Sequence, residues 1–288
     1  YKLSNGVAAP ITTFTERNKR VNSVYGTATL SYANKIFLDV TGRNDWSSTL
    51  PSGNNSFFYP SVSTSFILSD LLRLPEQISF AKLRASWAQV GNDTDPYKTA
   101  KYYNTSAFPG SASVSSTLYN ARFKPEISNS IEVGLDWRMF KQRFGLDLAF
   151  YNNITRNQIL DVPMDQTTGY TKATMNSGKV RNRGIELQLD GTPVKTKNFT
   201  WNSTFTWAKN YNKVLSLAAG LTDGQTIAYT GGTNCALIAK VGGSIGDIYG
   251  YKLKRAPDGQ VVWEDGITAR TTEFEYVGNA YPAWKAGF

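Results

Sequence analysis

Apolar and polar residues alternate with a period of two over residues 129–154, and this stretch shows the pattern of the whole chain most clearly. Apolar positions run from Ile131 to Met139 and resume, after a polar break, from Phe144 to Phe150. Side chains two residues apart lie on one face of a strand. Because the break is short, the two strands are predicted to pair antiparallel. Each strand has about ten to twelve residues, which is long for a soluble sheet and typical of a tilted strand that crosses a bilayer.

The same alternation predicts six further strands and the start of one more, while residues 1–19 are polar and irregular. The further strands are predicted within 20–32, 36–43, 61–68, 79–91, 176–190, 199–210 and 284–288. The chain begins at Tyr1 without an initiator Met or a signal-peptide pattern, and it stops inside the last predicted strand. We therefore expect it to be a piece of a longer protein.

The connections between these strands alternate between short and long. The short ones are 33–35, 69–78 (with one helical turn broken at Pro75), 140–143 and 191–198; the long ones are 46–57, 92–127, 155–176 and 211–282. Soluble sandwiches show the same inside/outside alternation, but outer-membrane barrels combine short periplasmic turns with long extracellular loops. The predicted fold is therefore all-β, a transmembrane antiparallel up-and-down β-barrel of which residues 1–288 supply about nine strands. Residues 248–255 could form another strand, but one more crossing of the membrane would place the last strand on the wrong side. These residues are therefore predicted to belong to the last long loop.

Composition agrees with a barrel and excludes several classes of function. The chain is 41% hydrophobic but has no apolar run long enough for a membrane helix, and 13% aromatic residues would suit interfacial girdles or a carbohydrate-binding surface equally. Histidine is absent and Cys235 is the only cysteine, which excludes histidine-based catalysis, a disulfide framework and Cys-rich metal sites. The net charge of +9 is scattered, so anionic lipid headgroups are as good a counterpart as nucleic acid.

Two short motifs resemble functional sites of other proteins, a catalytic serine turn and a calcium-binding loop, but neither has the residues that such a site requires. Residues 242–246 match the G-x-S-x-G nucleophile elbow, but without a histidine nothing would activate Ser244, and a glycine turn is the favoured interpretation. Glu264 and Asp265, with Asp258 upstream, could bind calcium but lack the spacing of an EF-hand, so a solvated turn is favoured. We predict no catalytic residue, no metal site, no cofactor and no enzymatic activity.

Charged residues on the polar strand faces form one candidate surface. Their two possible roles are cross-strand pairing within the wall and contact with a plug or a substrate path, and wall or plug contact is favoured. The predicted lumen-facing or plug-facing residues are Asp39, Arg43, Lys82, Arg84, Glu132, Asp136, Arg138, Asp147 and Glu186.

Aromatic residues of the long loops form a second candidate surface. They could stack on sugar rings or anchor a lid protein, although several are expected only to pack the loops together. These residues are Trp46, Tyr102, Tyr103, Tyr119, Tyr170, Tyr229, Tyr249, Tyr251 and Trp263.

Five sequence blocks in order resemble one family of transporters. The blocks are RNDWSSTLPSGNNSFFYPSVSTSF (43–66), KLRASWAQVGNDTDPY (82–97), FKPEISNSIEVGLDWRMF (123–140), NSGKVRNRGIELQLDGTPVKTKNFTWN (176–202) and IGDIYGYKLKR (245–255). Together they resemble the C-terminal half of SusC/RagA-type TonB-dependent outer-membrane transporters. The resemblance implies a 22-stranded barrel around an N-terminal plug, a SusD-like surface lipoprotein as lid, and import of oligosaccharides or peptides powered by TonB through the N-terminal part that this chain lacks.

Three functions are compatible with these features of the sequence. Active import across a bacterial outer membrane, with multiple crossings and extracellular long loops, is the leading hypothesis. A passive porin or adhesin-like barrel would need no plug, and a soluble carbohydrate-binding sandwich would need no lipid. Substrate identity depends on loop residues, which vary independently of the scaffold.

Overall fold

The computed structural model describes residues 16–105, 110–218, 224–230 and 234–288. Most of the segment predicted to be irregular at the N-terminus lies outside these residues. In chain order the first elements are β1 (Val21–Tyr32), β2 (Ile36–Ser47), β3 (Ser56–Ile67), α1 (Leu68–Leu71), β4 (Ile78–Asn92), β5 (Tyr103–Thr105), β6 (Ala112–Val114), β7 (Thr117–Leu118), β8 (Glu126–Met139), β9 (Phe144–Arg156) and β10 (Ile159–Pro163). The others are β11 (Lys172–Asn176), β12 (Lys179–Lys195), β13 (Thr200–Ser216), β14 (Gln225–Thr230), β15 (Cys235–Ala239), β16 (Asp247–Gly250), β17 (Trp263–Glu264), β18 (Ile267–Thr268), β19 (Glu275–Asn279) and β20 (Lys285–Gly287), with a 3-10 turn at Gln166–Thr168.

One nine-stranded sheet organises the chain. Its order is β1-β2-β3-β4-β8-β9-β12-β13-β20, and every neighbouring pair is antiparallel. The eight full strands have 12 to 17 residues, which is enough to cross a bilayer at a tilt. The predicted up-and-down order and the number of strands are confirmed. β1 and β20 are the two edges of the sheet.

Two of the short connections are tight because consecutive residues adopt left-handed backbone conformations. Ala33 and Asn34 have φ of 50° and 55° in the three-residue loop between β1 and β2, and Phe140 and Lys141 have φ of 54° and 56° between β8 and β9. The predicted helical turn is α1. The predicted turn at 191–198 is wrong at its start, because β12 continues to Lys195 through a bulge between Gly191 and Val194. Pro193 falls in this bulge, where its missing N–H costs no ladder hydrogen bond.

Three of the four long connections, 92–127, 155–176 and 211–282, contribute strands to small sheets outside the nine-stranded sheet. The three strands β10, β11 and β7 form one sheet, and β14, β15, β16 and β19 form another; β5–β6 and β17–β18 are two-stranded. Residues 248–255 stay outside the nine-stranded sheet, as crossing parity predicts, with β16 pairing instead with β15 and β19. The predicted loop bounds need correction, since β2 and β3 extend into 46–57 and β13 extends to Ser216.

Strand register aligns the apolar residues in rows across the sheet. One row runs Leu83, Leu135, Leu148, Leu187 and Trp207, each directly opposite the next. We call this side of the sheet the apolar face and the opposite side, which carries Arg84 and Asp147, the charged face. Large side chains of the apolar face remain open, with Val133 42% and Phe150 48% exposed. A sheet with this much open apolar surface is suited to lipid rather than to water.

Buried hydrophobic residues are few and lie where the long connections fold back onto the strands. Leu50, Phe57 and Phe123 form one cluster. Val180, Val214 and Ala239 form the other, which joins β12 and β13 to β15. These clusters attach the loop sheets to the end of the nine-stranded sheet. Within the described ranges no helix has the length and apolar character to cross a membrane.

Candidate functional site

The nine charged residues predicted to share one polar face do share it. Direct cross-strand partners lie on the same side of a sheet, and the register connects Asp39 through Ser63 and Ser86 to Glu132. The remaining members fall on the same side by the same reasoning. That this charged face lines a lumen or contacts a plug stays a prediction.

Arg84 connects three strands of the charged face. Its guanidinium on β4 donates two hydrogen bonds to the carboxylate of Asp147 on β9, at 3.0 and 2.7 Å, and passes over β8 at Gly134. A Cβ at Gly134 would lie 2.4 Å from Nε of Arg84, so only glycine leaves the guanidinium this path. Glu132 is a weaker partner, at 3.9 Å from the Arg84 Nε.

Arg138 repeats the arrangement one strand further along. It donates from Nε to Asp136 at 2.8 Å and from NH1 to Asp190 on β12 at 3.3 Å, crossing Gly145 on β9. A Cβ at Gly145 would lie 2.5 Å from that NH1. The two arginines also separate charges, because Asp136 and Asp147 are direct cross-strand neighbours that would otherwise repel. Each carboxylate has its own guanidinium.

Asparagine side chains continue the network toward the long connections. The Tyr151 hydroxyl crosses Gly184 and lies 3.1 Å from Oδ1 of Asn210, whose amide donates to Asn182 at 3.2 Å. Asn212 donates to the same Asn182 oxygen at 2.8 Å. This ladder runs up β12 and β13 to the base of the last long connection.

Ser244 is part of that base and has no catalytic geometry. Its hydroxyl donates to Oδ1 of Asn212 at 3.1 Å, and its backbone N–H donates to the Asp247 carboxylate at 2.8 Å. Gly242, with φ of 91°, turns the chain so that its N–H reaches the Val214 carbonyl at 2.9 Å. The glycine-turn interpretation of residues 242–246 is confirmed, and the serine fastens the turn to β13.

Several charges of the face lack a charged partner in the described part of the chain. Asp39 accepts only from Thr29, at 2.7 Å, and from Ser63, at 3.4 Å. Lys82 and Glu186 form no ion pair within the described residues. Glu186 shares a concavity of about 490 Å³ with Glu132, Asp147 and Lys285. Glu186 is thus a charged residue of this concavity without an ion pair among the described residues.

Sequence reasoning missed Asp45, which completes the upper end of the charged face. Asp45 is buried, accepts from Arg43 at 2.8 Å and also accepts from the Tyr59 hydroxyl. The predicted strand ends at Arg43, which leaves Asp45, the next polar position of that face, outside the strand. Continuing the alternation through 39, 41, 43 and 45 would have found it. The alternation predicts the strands of Asp190 and Tyr151 correctly, but it carries no sign of their cross-strand partners.

Most aromatic residues of the connections 92–127 and 155–176, the first group of loop aromatics, pack against other side chains of the same connections. Tyr102 contacts Tyr119 with ring centroids 5.7 Å apart, and Tyr97 packs edge-on against Tyr102 at 6.1 Å. Burial raises the pKa of Tyr102 above its ordinary value. The Lys101 ammonium lies 5.5 Å from the centre of the Tyr170 ring. Tyr103, in contrast, is 69% exposed.

The second group lies in the last long connection, and cations lie against two of its rings. Lys240 Nζ is 4.3 Å from the centre of the Tyr249 ring, which also packs on Tyr276 at 5.9 Å. The Arg270 guanidinium lies 4.3 Å from the centre of the Tyr251 ring. Trp263 is 66% exposed at the β17–β18 hairpin.

Two predicted loop aromatics need separate comment. Trp46 is not a loop residue, because it lies in β2 opposite Asn22 and Ser56, on the apolar face. The prediction placed the end of this strand too early, and Trp46 is better placed for a membrane interface than for a ligand. The side chain of Tyr229 lies outside the described residues, although its backbone belongs to β14.

The acidic residues considered for calcium have other partners. Asp258 accepts from the Gln260 N–H at 3.0 Å, and Glu264 accepts from Lys254 Nζ at 2.9 Å. Asp265 has φ of 51° in the turn of the β17–β18 hairpin. Within the described ranges, no group of three or more acidic or cysteine side chains is arranged to hold a metal ion.

The aligned apolar face, the charged opposite face and the alternation of short and long connections define this sheet as the wall of a transmembrane β-barrel. Comparison with known proteins agrees. Residues 2–286 match the model of the family described as TonB dependent receptor-like, beta-barrel. The chain therefore belongs to this family, which places it in the outer membrane and among receptors and transporters rather than enzymes.

Individual relatives support the same assignment. TonB-dependent receptor P26 of Formosa agariphila is 33% identical over 207 residues, covering 69% of this chain and 21% of that protein. TonB-dependent receptor SusC of Bacteroides thetaiotaomicron is 25% identical over 222 residues, covering 73% of this chain and 22% of that protein. The chain thus spans about a fifth of the length of these relatives.

A solved structure of the RagAB peptide transporter has the same fold. It superposes with a TM-score of 0.77 at 21% identity, covering 93% of this chain and 31% of that chain. The resemblance to SusC/RagA-type transporters seen in the sequence blocks is confirmed. The fold rules out a soluble β-sandwich.

Proposed function

We propose that this chain is the C-terminal part of the barrel of a nutrient importer of the SusC/RagA type. In this proposal the long connections are extracellular, the short turns are periplasmic, and the charged face lines the lumen around a plug domain that lies outside this chain. TonB would supply energy through that outside part. The cargo would be an oligosaccharide or a peptide, held at the long-loop end until the plug yields.

The observation that carries this proposal is the grouping of the loop sheets at one end. Antiparallel order places all four long connections at the same end of the nine-stranded sheet. Two of them present exposed rings, Tyr103 and Trp263, while the rings around them are packed and backed by cations. Rigidly held aromatic rings bind with little loss of side-chain entropy, so they suit a cargo or a partner that must be captured without a covalent step.

A SusD-like surface lipoprotein is the proposed partner at this end. The support is the membership of the SusC-like branch together with the projecting β17–β18 hairpin, whose Trp263 and Ile267 are 66% and 70% exposed. Because the register pairs Trp263 with Thr268 and Glu264 with Ile267, these two side chains lie on opposite faces of the hairpin, and each leaves an open apolar surface to a partner that covers the hairpin tip. The residues at its base, Lys254, Val262 and Ala269, are joined by backbone hydrogen bonds of 2.9 Å, so the hairpin is held as a unit.

The experiment removes this hairpin from the full-length receptor. The carbonyl of Val262 accepts from the N–H of Ala269, so residues 263–268 can be replaced by Asn-Gly without stretching the chain. We expect the barrel to fold normally while capture of the lipoprotein encoded beside the receptor, or growth on the cognate nutrient, falls several-fold. Phe140→Ser, which removes an exposed ring at the opposite end, is the control and should change neither. Unchanged capture and growth in the hairpin variant would contradict the proposal.

A passive porin or adhesin is the alternative function, and dependence on TonB separates the two. Uptake by the importer should stop in cells that lack TonB and remain in an otherwise identical strain that has it. Uptake that continues without TonB would favour a passive barrel.

A further inference from the structure

The apolar face changes character at the long-loop end of β9, β12 and β13, where cations replace hydrophobic residues. The register there is a series of rows: Arg156 opposite Lys179; Ile154, Arg181 and Lys213; Asn152, Arg183 and Tyr211; Phe150, Ile185 and Lys209. We call Arg156, Lys179, Arg181, Arg183, Lys209 and Lys213 the basic cluster. All six lie on the side of the sheet that faces away from the charged network of Arg84 and Arg138.

The position of the cluster matches the edge of the hydrocarbon layer. Continuous apolar positions on β8 run from Met139 to Ile131, about 26 Å along the strand at about 3.3 Å per residue. At the usual tilt of about 35–45°, a strand of that length rises about 20 Å, which is most of the apolar band of about 25 Å in an outer-membrane barrel. Lys209 lies in the row of Val133 and Arg183 in the row of Ile131, which are the last two rows of this band, and the other four cations lie beyond it. Tyr211 lies among the cations, as an aromatic residue at a membrane interface does.

Nothing within the described strands neutralises this charge. The apolar-face positions of β8, β9, β12 and β13 contain no aspartate or glutamate. None of the six cations forms an ion pair with a described residue; Lys209 contacts only the Tyr211 ring, at 5.0 Å. Arg181 and Lys213 are direct neighbours, as are Arg156 and Lys179, and like charges in such positions destabilise a sheet.

Arg181 gives a second sign of a missing partner. Its Nε is buried and has no hydrogen-bond acceptor among the residues that the structure describes, so this part of the chain supplies neither an ion pair nor an acceptor at that atom. Phosphate oxygens accept charge-assisted hydrogen bonds from guanidinium and ammonium groups, and several cations in one patch favour a ligand with more than one phosphate. An amphiphile would place those phosphates at this depth while its acyl chains lie on Ile185 and Phe150.

We propose that the basic cluster binds the headgroup of a membrane lipid that carries more than one phosphate, in the leaflet that the long loops face. Such a lipid would relieve the opposed cations and accept from the exposed side chains of Arg183 and Lys213. Binding would hold the upper ends of β9, β12 and β13 in place beneath the last long connection. This site is independent of cargo, TonB and lid, because it lies on the outside of the wall.

The test uses the full-length receptor in detergent micelles, with bisphosphorylated lipid A as the probe and native mass spectrometry as the readout. We expect R181Q/R183Q/K213Q to weaken binding at least tenfold, and monophosphorylated lipid A to bind the wild type several-fold more weakly. The control R122Q/K124Q/R255Q removes the same residue types from exposed loop positions and should bind like the wild type. The conservative R181K/R183K variant keeps the charge and should retain most of the binding.

A stability readout separates loss of the site from misfolding. In neutral phosphatidylcholine nanodiscs the glutamine triple variant should unfold at the same temperature as the wild type or higher, because repulsion is removed. Added lipid A should raise the midpoint of the wild type and the control but not that of the triple variant. Equal binding by wild type and triple variant, equal losses in triple variant and control, or equally tight binding of soluble pyrophosphate would each overturn the proposal.

Discussion

Gly134→Ala tests whether glycine in the wall exists to let an arginine cross it. A new Cβ would lie 2.4, 2.5 and 2.8 Å from Nε, Cζ and NH2 of Arg84. These atoms are the end of a flexible side chain, so the guanidinium can swing aside with little strain in the backbone. In doing so it would lose its paired hydrogen bonds to Asp147, at 3.0 and 2.7 Å.

The cost follows from that loss. A hydrogen bond to a charged group contributes about 1.5–3 kcal/mol when well protected. The side chains of Arg84 and Asp147 are 33% and 32% exposed, so water takes over part of the interaction. Asp147 would also face Asp136 without its counter-ion, while alanine gains slightly over glycine in strand propensity. We expect a net loss of about 1–2 kcal/mol in the free energy of unfolding.

The assay is equilibrium unfolding of the full-length receptor in lipid vesicles with urea, followed by tryptophan fluorescence. Gly26→Ala is the matched control, because no atom lies within 4 Å of a Cβ there, and it should change stability by less than about 0.5 kcal/mol. A double-mutant cycle with Arg84→Gln completes the test. If Gly134→Ala costs as much in the Arg84→Gln background as in the wild type, the glycine is needed by the backbone and the reasoning is refuted.

Two further predictions concern the apolar face and a loop sheet. Leu148→Arg lies in the middle row of the apolar face and should cost roughly 2–4 kcal/mol in vesicle refolding, whereas Asp147→Asn should cost about 1 kcal/mol; equal costs would contradict the two-faced wall. In the sheet of β10 and β11, burial raises the pKa of Asp161, but hydrogen bonds from Lys172 and Thr174 outweigh it and leave the pKa below its ordinary value. Because the folded pKa is lowered, this stability is present above the unfolded value of 3.8 and is lost as the pH falls toward the folded one. The protection of the amides of 159–176 against hydrogen exchange should therefore fall as the pH is lowered from about 5 to about 3. The Asp161→Asn variant should not show this fall. Identical pH profiles of the wild type and the variant would contradict the prediction.

The sequence predicted the sheet well because its signal is local. Period-two alternation predicts the strands and their two faces, and the length of each turn predicts which strands are neighbours. The apolar face of β8 at Leu135 is therefore expected to continue onto β9 at Leu148. The ends of strands were predicted less well, because polar residues such as Asp45 and Asn212 continue the alternation without its apolar half. Trp46 was assigned to a loop for this reason.

The partners of the charged face could not be predicted from the pattern. Arg84 reaches Asp147 two strands away, and that contact depends on register and on the space above Gly134. The Asn212–Ser244 contact joins residues 32 apart through a turn whose course the alternation does not specify. In the sequence, the residues of the basic cluster are only scattered positive charges. The strand register brings them together on one face of the sheet.

The central claim is that one face of this sheet meets lipid and the other does not. Single cysteines introduced at Leu135, Leu148, Asp136 and Asp147 in the full-length receptor, with Cys235 replaced by serine, can be spin-labelled and reconstituted. Collision with oxygen, which concentrates in hydrocarbon, should be high for the labels at the two leucine positions and low for those at the two aspartate positions. A water-soluble nickel chelate should reach none of the leucine positions. Equal oxygen collision on both faces, or higher values at the aspartate positions, would contradict the account.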